Sequence, residues 1–294
     1  MSGRKIIDVI VNPAAGSRNG GLFDAVMQQL HDEGAVVRCF ETEGAGHATE
    51  LAARCAQEAY ADVIVAAGGD GTINEVARGL LGSPTPLGVL PLGTANVLAI
   101  ELGQKLRARS VADTLLHGDA KLIGTGLVNG EMFLLMVGAG FDGAVVSAIQ
   151  PSMKRRLGKL AFVFEGLKTW LKGRRYPISV EIDGMVEEAA WVVVTNARHY
   201  AGPFVLAPTA DIADPHLQAF IFQKQSRLAF AGYFLGLALG HVARMPGVHV
   251  SRFQYLDLSC AGPVPVEVDG DACQDLPLTI SQGTQFLRLV VPQA

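Results

Sequence analysis

Five consecutive residues, Gly68-Gly69-Asp70-Gly71-Thr72, combine the side chains and the backbone freedom that phosphate chemistry needs. Glycines let main-chain N–H groups approach an anion closely, and a threonine hydroxyl adds a donor that is also able to cap a helix. Asp70 alone would repel phosphate, but with magnesium bridging the two charges it becomes useful. The loop follows the apolar run Asp62 to Ala67 and precedes the helical run Ile73 to Leu80. In an open α/β sheet that is where ligands bind, beyond the carboxyl ends of the strands and at a helix N-terminus. Spacing alone fits a plain glycine turn capped by Thr72 equally well.

The elements that would hold this loop come from alternating patterns. Ile6 to Val11, Ala35 to Phe40, Asp62 to Ala67 and Leu87 to Leu90 read as strands. Between them, Leu22, Val26 and Leu30 mark one helical face, Leu51 and Cys55 a second, and Ile73, Val76, Ala77 and Leu80 a third. The alternation predicts an α/β domain, a doubly wound parallel sheet with helices on both faces, over residues 1–120. Beyond about Gly118 the texture changes to β-runs joined by Asn129-Gly130, Asp183-Gly184 and Asp269-Gly270, each a tight-hairpin signal. A second, largely antiparallel domain is expected over 121–294. Its strands are Lys121 to Leu127, Met132 to Val137, Ile178 to Ile182, Ala190 to Thr195, Leu217 to Phe222 and Phe286 to Val291, the last left open to return toward the first domain. Helical insertions are expected around Leu157 to Leu171 and Arg227 to Ala243.

Composition narrows the function. The 294 residues are 49% hydrophobic and 18% charged, with a formal net charge of −4, so two well-filled domains are affordable and a whole-molecule grip on nucleic acid is excluded. The four cysteines stand singly, which suits a reduced, cytoplasmic compartment. Met1 to Val11 lacks the apolar core of a signal peptide and reads as a first strand. The longest uncharged apolar stretch, Leu228 to Gly240, is shorter than the ~20 residues needed to cross a bilayer and suits a buried or an interfacial helix.

No Walker A loop and no protein-kinase motif pair occurs. Asn12-Pro13-Ala14-Ala15-Gly16, Thr42 with Gly46-His47-Ala48, GGDGTINEV from Gly68 to Val76 and PLGTANVLA from Pro91 to Ala99 together resemble the diacylglycerol kinase catalytic-domain family. GAGFDG from Gly138 to Gly143 and VDGD from Val268 to Asp271 extend the resemblance along essentially the whole chain. It implies ATP bound with Mg2+ in a cleft between the α/β domain and a C-terminal antiparallel β-sandwich. By motif position, Asn12, Thr42, Gly68, Gly69, Asp70, Gly71, Thr72, Glu75 and Thr94 would contact or frame the nucleotide, and Asp142 would line the cleft. Asp142 also reads as a cap before a helix Ala144 to Ile149.

A lipid alcohol becomes a nucleophile as its proton leaves, so a base is needed. The resemblance puts it at Asp271, where relatives usually carry glutamate; Asp269-Gly270-Asp271 also reads as only a hairpin. Val97 stands where many relatives have an acid, and Pro215 replaces a glycine beside Asp214, the position of a structural magnesium in relatives. NAD kinases share the Gly-Gly-Asp-Gly loop but not the later PLGTANVLA run; a non-catalytic lipid or nucleotide binder is the other alternative. Met153 to Tyr176 interleaves Lys154, Arg155, Arg156, Lys159, Lys168, Lys172, Arg174 and Arg175 with aromatic and aliphatic residues. That suits peripheral docking on an anionic membrane surface, or a solvated helix face. An exposed strand edge in either domain would allow a homodimer without requiring one.

Overall fold

The structure, a computed structural model, describes residues 3–15, 21–149, 159–174 and 176–293. Gly16, Lys154, Arg155, Arg156 and Arg175 lie outside the described residues, as does the side chain of Lys159. The chain divides into two compact units, 1–123 with 285–294, and 124–284.

The first unit is built on β1 (Ile6–Val11), β2 (Val36–Glu41), β3 (Val63–Gly68), β4 (Leu87–Pro91) and β5 (Asp119–Ile123). With the C-terminal strand Leu287–Val291 they form one sheet in the order β2-β1-β3-β4-Leu287–Val291-β5. The first four strands run parallel. β3 and β4 are buried throughout, as expected of central strands covered by helices on both faces. Those helices are α1 (Leu22–Asp32), α2 (His47–Glu58), α3 (Asp70–Gly79), α4 (Val97–Glu101) and α5 (Ala108–His117). Val26 and Leu30 of α1 and Val111 and Leu115 of α5 pack on Ile7, Val9, Val63 and Val65. Neither α4 nor α5 was expected from the apolar spacing.

The second unit carries β6 (Gly126–Val128), β7 (Glu131–Phe133), β8 (Met136–Ala139), β9 (Ile178–Ile182), β10 (Met185–Ala189) and β11 (Trp191–Thr195). There follow β12 (His199–Tyr200), β13 (Phe204–Val205), β14 (Gln218–Phe222) and β15 (Val248–Arg252). The last are β16 (Tyr255–Ser259), β17 (Val266–Val268), β18 (Asp271–Cys273) and β19 (Leu278–Gln282). Two antiparallel sheets, β10-β9-β16-β19-β6-β7 and β15-β14-β11-β8-β17-β18, enclose a core that includes Phe133, Val180, Val192, Ile221, Leu256 and Ile280. This is the expected β-sandwich. All three expected hairpins form: Asn129, Asp183 and Asp269 take φ of 49°, 51° and 51°, each followed by a positive-φ glycine, as a two-residue turn with the strands' own twist requires.

The second sheet has a covered outer face. Alternation sends Val192 and Val194 inward and Trp191 and Val193 outward, where α6 (Phe141–Ala148) and α8 (Arg227–Ala238) cover them. Trp191 stacks on Phe222 with ring centroids 4.0 Å apart. A further helix, α7 (Lys159–Lys172), lies beside α8.

Two expected strands break. Lys121 to Leu127 divides at Gly124, so that β5 serves the first unit and β6 the second. Met132 to Val137 divides into β7 and β8, which belong to opposite sheets. The cause is a long-range contact: the N–H groups of Leu134, Leu135 and Met136 bond to the Asp269 carboxylate at 2.7, 2.7 and 3.0 Å. Phe286 to Val291, grouped with the second-domain strands, pairs instead with β4 and β5.

Candidate phosphoryl-transfer site

Four loops leave the carboxyl ends of β1 to β4 at one edge of the first sheet. After β1, the Asn12 side-chain oxygen accepts the Ala14 N–H at 3.0 Å, and its Nδ2 donates to Thr72 Oγ1 at 3.2 Å. After β2, the Thr42 N–H bonds to Val11 O at 2.9 Å. After β3, the chain turns at Gly68 and α3 starts at Asp70, with extended Gly69 as N-cap and no side chain capping it. After β4, Gly93 runs against Gly69: a Cβ on Gly93 would stand 2.5 Å from the Gly69 Cα, which only glycine avoids. Asp70 Oδ1 accepts the Val97 N–H at 2.8 Å, tying the first turn of α3 to the start of α4. The half-buried Thr94 lies in the segment between.

Two roles expected of this loop change. Thr72 is not the cap but the third residue of α3, its hydroxyl engaged by Asn12. Glu75 turns away toward α2, where Oε2 accepts the Ala48 N–H at 3.2 Å and its carbonyl accepts the Thr49 hydroxyl at 2.9 Å. Glu75 thus braces the two helices that frame the loop. Hydrogen bonds and close contact bring Asn12, Gly68, Gly69, Asp70, Thr72 and the Gly93–Val97 segment together, with Gly71 exposed.

An uncapped helix N-terminus beside two touching glycine backbones fits a phosphate. A magnesium ion keeps waters and takes phosphate oxygens with one or two carboxylates, and Asp70 is the carboxylate in this loop that could serve as one. Among the described residues, no three His, Cys, Asp or Glu gather to hold a metal by protein alone. At Asp214 the donor set does not fit a divalent cation. Its Oδ1 accepts the His216 N–H at 3.0 Å and meets His216 Nδ1 at 2.5 Å, with Arg252 3.7 Å from Oδ2. These bonds, the His216 N–H foremost, hold its carboxyl below the usual range.

In the second unit the candidate base, Asp271, opens β18 in an exposed position. Its hairpin is anchored by Asp269, through the three N–H bonds that break the preceding strand, and by Glu267, whose Oε2 accepts the Gly270 N–H at 2.7 Å. Alternation along β17 points Val266 and Val268 into the sandwich and Glu267 outward, directly opposite Gly138 of β8. There Asp142, in the first turn of α6 rather than ahead of it, folds back over Gly138. The Tyr200 hydroxyl donates to Asp142 Oδ1.

Burial pushes the Asp142 carboxyl up to about 6, against the pull of the Tyr200 bond. Burial, with the Asp142 charge next, holds Glu267 well above the usual carboxyl range, and burial raises the Tyr200 phenol as well. Glu267, Asp269 and Tyr200 were not foreseen. Glu267 alternates with valines and reads as a solvent-facing strand residue, and the partners of Asp269 lie over 130 residues away.

Residues 7–128 match the diacylglycerol kinase catalytic domain, and 135–293 match the YegS C-terminal NAD kinase beta sandwich-like domain. A diacylglycerol kinase of Bacillus subtilis is 33% identical over 97% of this chain and 96% of its own. The chain belongs to the diacylglycerol kinase family. A diacylglycerol kinase of Staphylococcus saprophyticus is 28% identical over 98% of this chain and 96% of its own. A crystal structure of a Bacillus anthracis diacylglycerol kinase shares the fold, with a TM-score of 0.78, 22% identity, and coverage of 99% and 98% of the two chains. This chain is therefore a lipid kinase, a phosphotransferase, and the alternatives of NAD kinase and inert binder give way to it.

Proposed function

We propose that this kinase transfers the terminal phosphoryl group of ATP, with magnesium, to a hydroxyl of a membrane lipid such as diacylglycerol. The observation that carries the reading is the uncapped start of α3, with Asp70 in its first turn and the Gly69–Gly93 contact beside it. Main-chain N–H groups there orient the phosphates, and the Asn12 to Thr72 bond fixes the loop in shape. Asp70 is the residue that would hold magnesium, and the ion when bound would supply positive charge to offset that of the phosphates. Asp271, exposed in the second unit, takes the proton from the lipid hydroxyl.

The test is transfer of radiolabelled phosphate from ATP to a panel of detergent-dispersed lipids and NAD, comparing wild type with Asp70→Asn and Asp271→Asn. A labelled lipid lost in both variants is expected. Label on NAD alone, or full activity in Asp70→Asn, overturns the reading.

A lipid substrate also needs a docking face, and the second unit offers one. Val163, Phe164, Leu167 and Leu171 of α7 and Leu228 and Leu235 of α8 are exposed, Leu228 by 86%. The helices are joined: Trp170 Nε1 donates to Arg227 O at 3.2 Å, and Arg227 donates to Leu171 O at 2.8 Å. Exposed Lys168, Lys172, Arg174 and Arg227 give the pair positive charge on a chain of net charge −4. Apolar side chains within a cationic rim match an anionic bilayer, so the expected interfacial helix is α8 as well as α7. Phe164→Glu with Leu167→Glu is expected to abolish co-sedimentation with phosphatidylglycerol vesicles while phosphorylation of a short-chain, monomeric diacylglycerol persists. Unchanged co-sedimentation removes the face from the proposal.

A further inference from the structure

The outer face of the second sheet holds two buried carboxyl groups close together. Asp142 is 5% exposed and Glu267 3%. Asp142 Oδ2 and Glu267 Oε1 each lie 2.7 Å from the point a Cβ on Gly138 would occupy, so the missing side chain of Gly138 makes the space they share. Asp142 Oδ1 is taken by the Tyr200 hydroxyl, and Glu267 Oε2 by the Gly270 N–H. Asp142 Oδ2 is buried and makes no hydrogen bond, and Trp191 Nε1, also without a partner, is a neutral donor close to the carboxyl. The groups acting on the pair from neighbouring elements are Tyr200 of β12, Trp191 of β11, and Asp269 and Asp271 of the β17–β18 hairpin, none of them cationic. Among the described residues, neither carboxyl forms an ion pair with Lys, Arg or His.

Two ionised carboxylates in this setting would repel without compensation, and a buried acceptor without a donor is costly. One proton resolves both problems. We infer that Asp142 and Glu267 share a proton, and that Glu267 in its acid form is the positioning residue for Asp271. Glu267 Oε1–H donates to Asp142 Oδ2, while Oε2 holds the Gly270 N–H one residue before the proposed base. The pair thereby fastens the start of α6 to the hairpin on which Asp271 stands. A charged Glu267 would be driven from Asp142, and the hairpin with it. The inference rests on the role proposed for Asp271, and adds to it the side chain that sets where its carboxylate points.

Glutamine has the shape of a protonated glutamate, with one acceptor and one donor on the same fork. Glu267→Ala is expected to lower kcat by roughly tenfold to a hundredfold through misplacement of the base, with the KM for ATP unchanged. Glu267→Gln is expected to restore most of that loss. Thermal melts of both variants separate misplacement from unfolding. Independently of activity, the infrared difference between wild type and Glu267→Gln at neutral pH should show the C=O stretch of a protonated carboxyl in the wild type. Glu267→Gln as impaired as Glu267→Ala, or no such band, overturns the shared proton. A band with rescue, but full activity in Asp271→Asn, would leave the acid pair standing and remove Asp271 as the base.

Discussion

Each unit of this kinase buries a carboxylate, and the two are kept in opposite ways. Asp8 of β1 is fully buried, and Arg38 of β2 grips both its oxygens at 2.7 and 2.6 Å. The guanidinium also reaches Glu58 at 3.1 Å and lies 4.7 Å over the Tyr60 ring. Asp142 of α6 has a phenol and a second carboxyl for company. A planar fork that is always charged turns a buried carboxylate into a rivet. Without one, the same group can stay inside only by sharing or holding a proton, which makes it responsive to its surroundings. Burial alone therefore does not mark a functional acid; burial without a cation, next to the strand pair that carries the proposed base, does.

The comparison breaks most visibly at Arg38. Arg38→Met should leave Asp8 stranded and cost about 3 to 5 kcal/mol of stability in urea unfolding at neutral pH, with the specific activity of the folded fraction unaltered. A cost below 1 kcal/mol would mean that the fork is ornamental. The smaller effect belongs to Asp142. Its folded pKa is raised from 3.8 to about 6, so the proton it holds stabilises the fold fully below the lower value and that contribution fades as pH climbs through the higher. The amount is about 3 kcal/mol on linkage grounds. Asp142→Asn, which cannot titrate, should therefore gain on the wild type by that margin between pH 4 and pH 7. Parallel pH profiles would place Asp142 with Asp8 as a group of structure alone.

The parts of this protein that could be read from its sequence are those whose cause is local. Alternating apolar runs gave β1 to β4 within a residue or so at each end. Asn-Gly and Asp-Gly dipeptides located three hairpins, because the backbone angles they permit are the ones such turns demand. The loop from Gly68 to Thr72 was found for its glycines and its place between strand and helix. What escaped was decided at a distance. Asp269 looked like half of a turn, yet its carboxylate ends a strand begun more than 130 residues earlier. Glu267 obeyed the in-and-out rhythm of a strand, and the rhythm was right, but its outward side is roofed by α6. The alternative reading of Asp142 as a cap fails because α6 starts three residues earlier than the spacing suggests, and the basic cluster at Lys154 to Arg156 falls outside the described residues.

The path of the chain through its two units also bears on how the protein is made. The first unit is entered at the N-terminus and left at Ile123, and it is rejoined only from Gln285. Among the described residues, the only strand that pairs with β5 is Leu287–Val291. On the ribosome, then, β5 must wait without a neighbour while some 160 further residues are synthesised. The unit encoded first is completed last, and the sandwich, whose strands all lie between, is able to close before it.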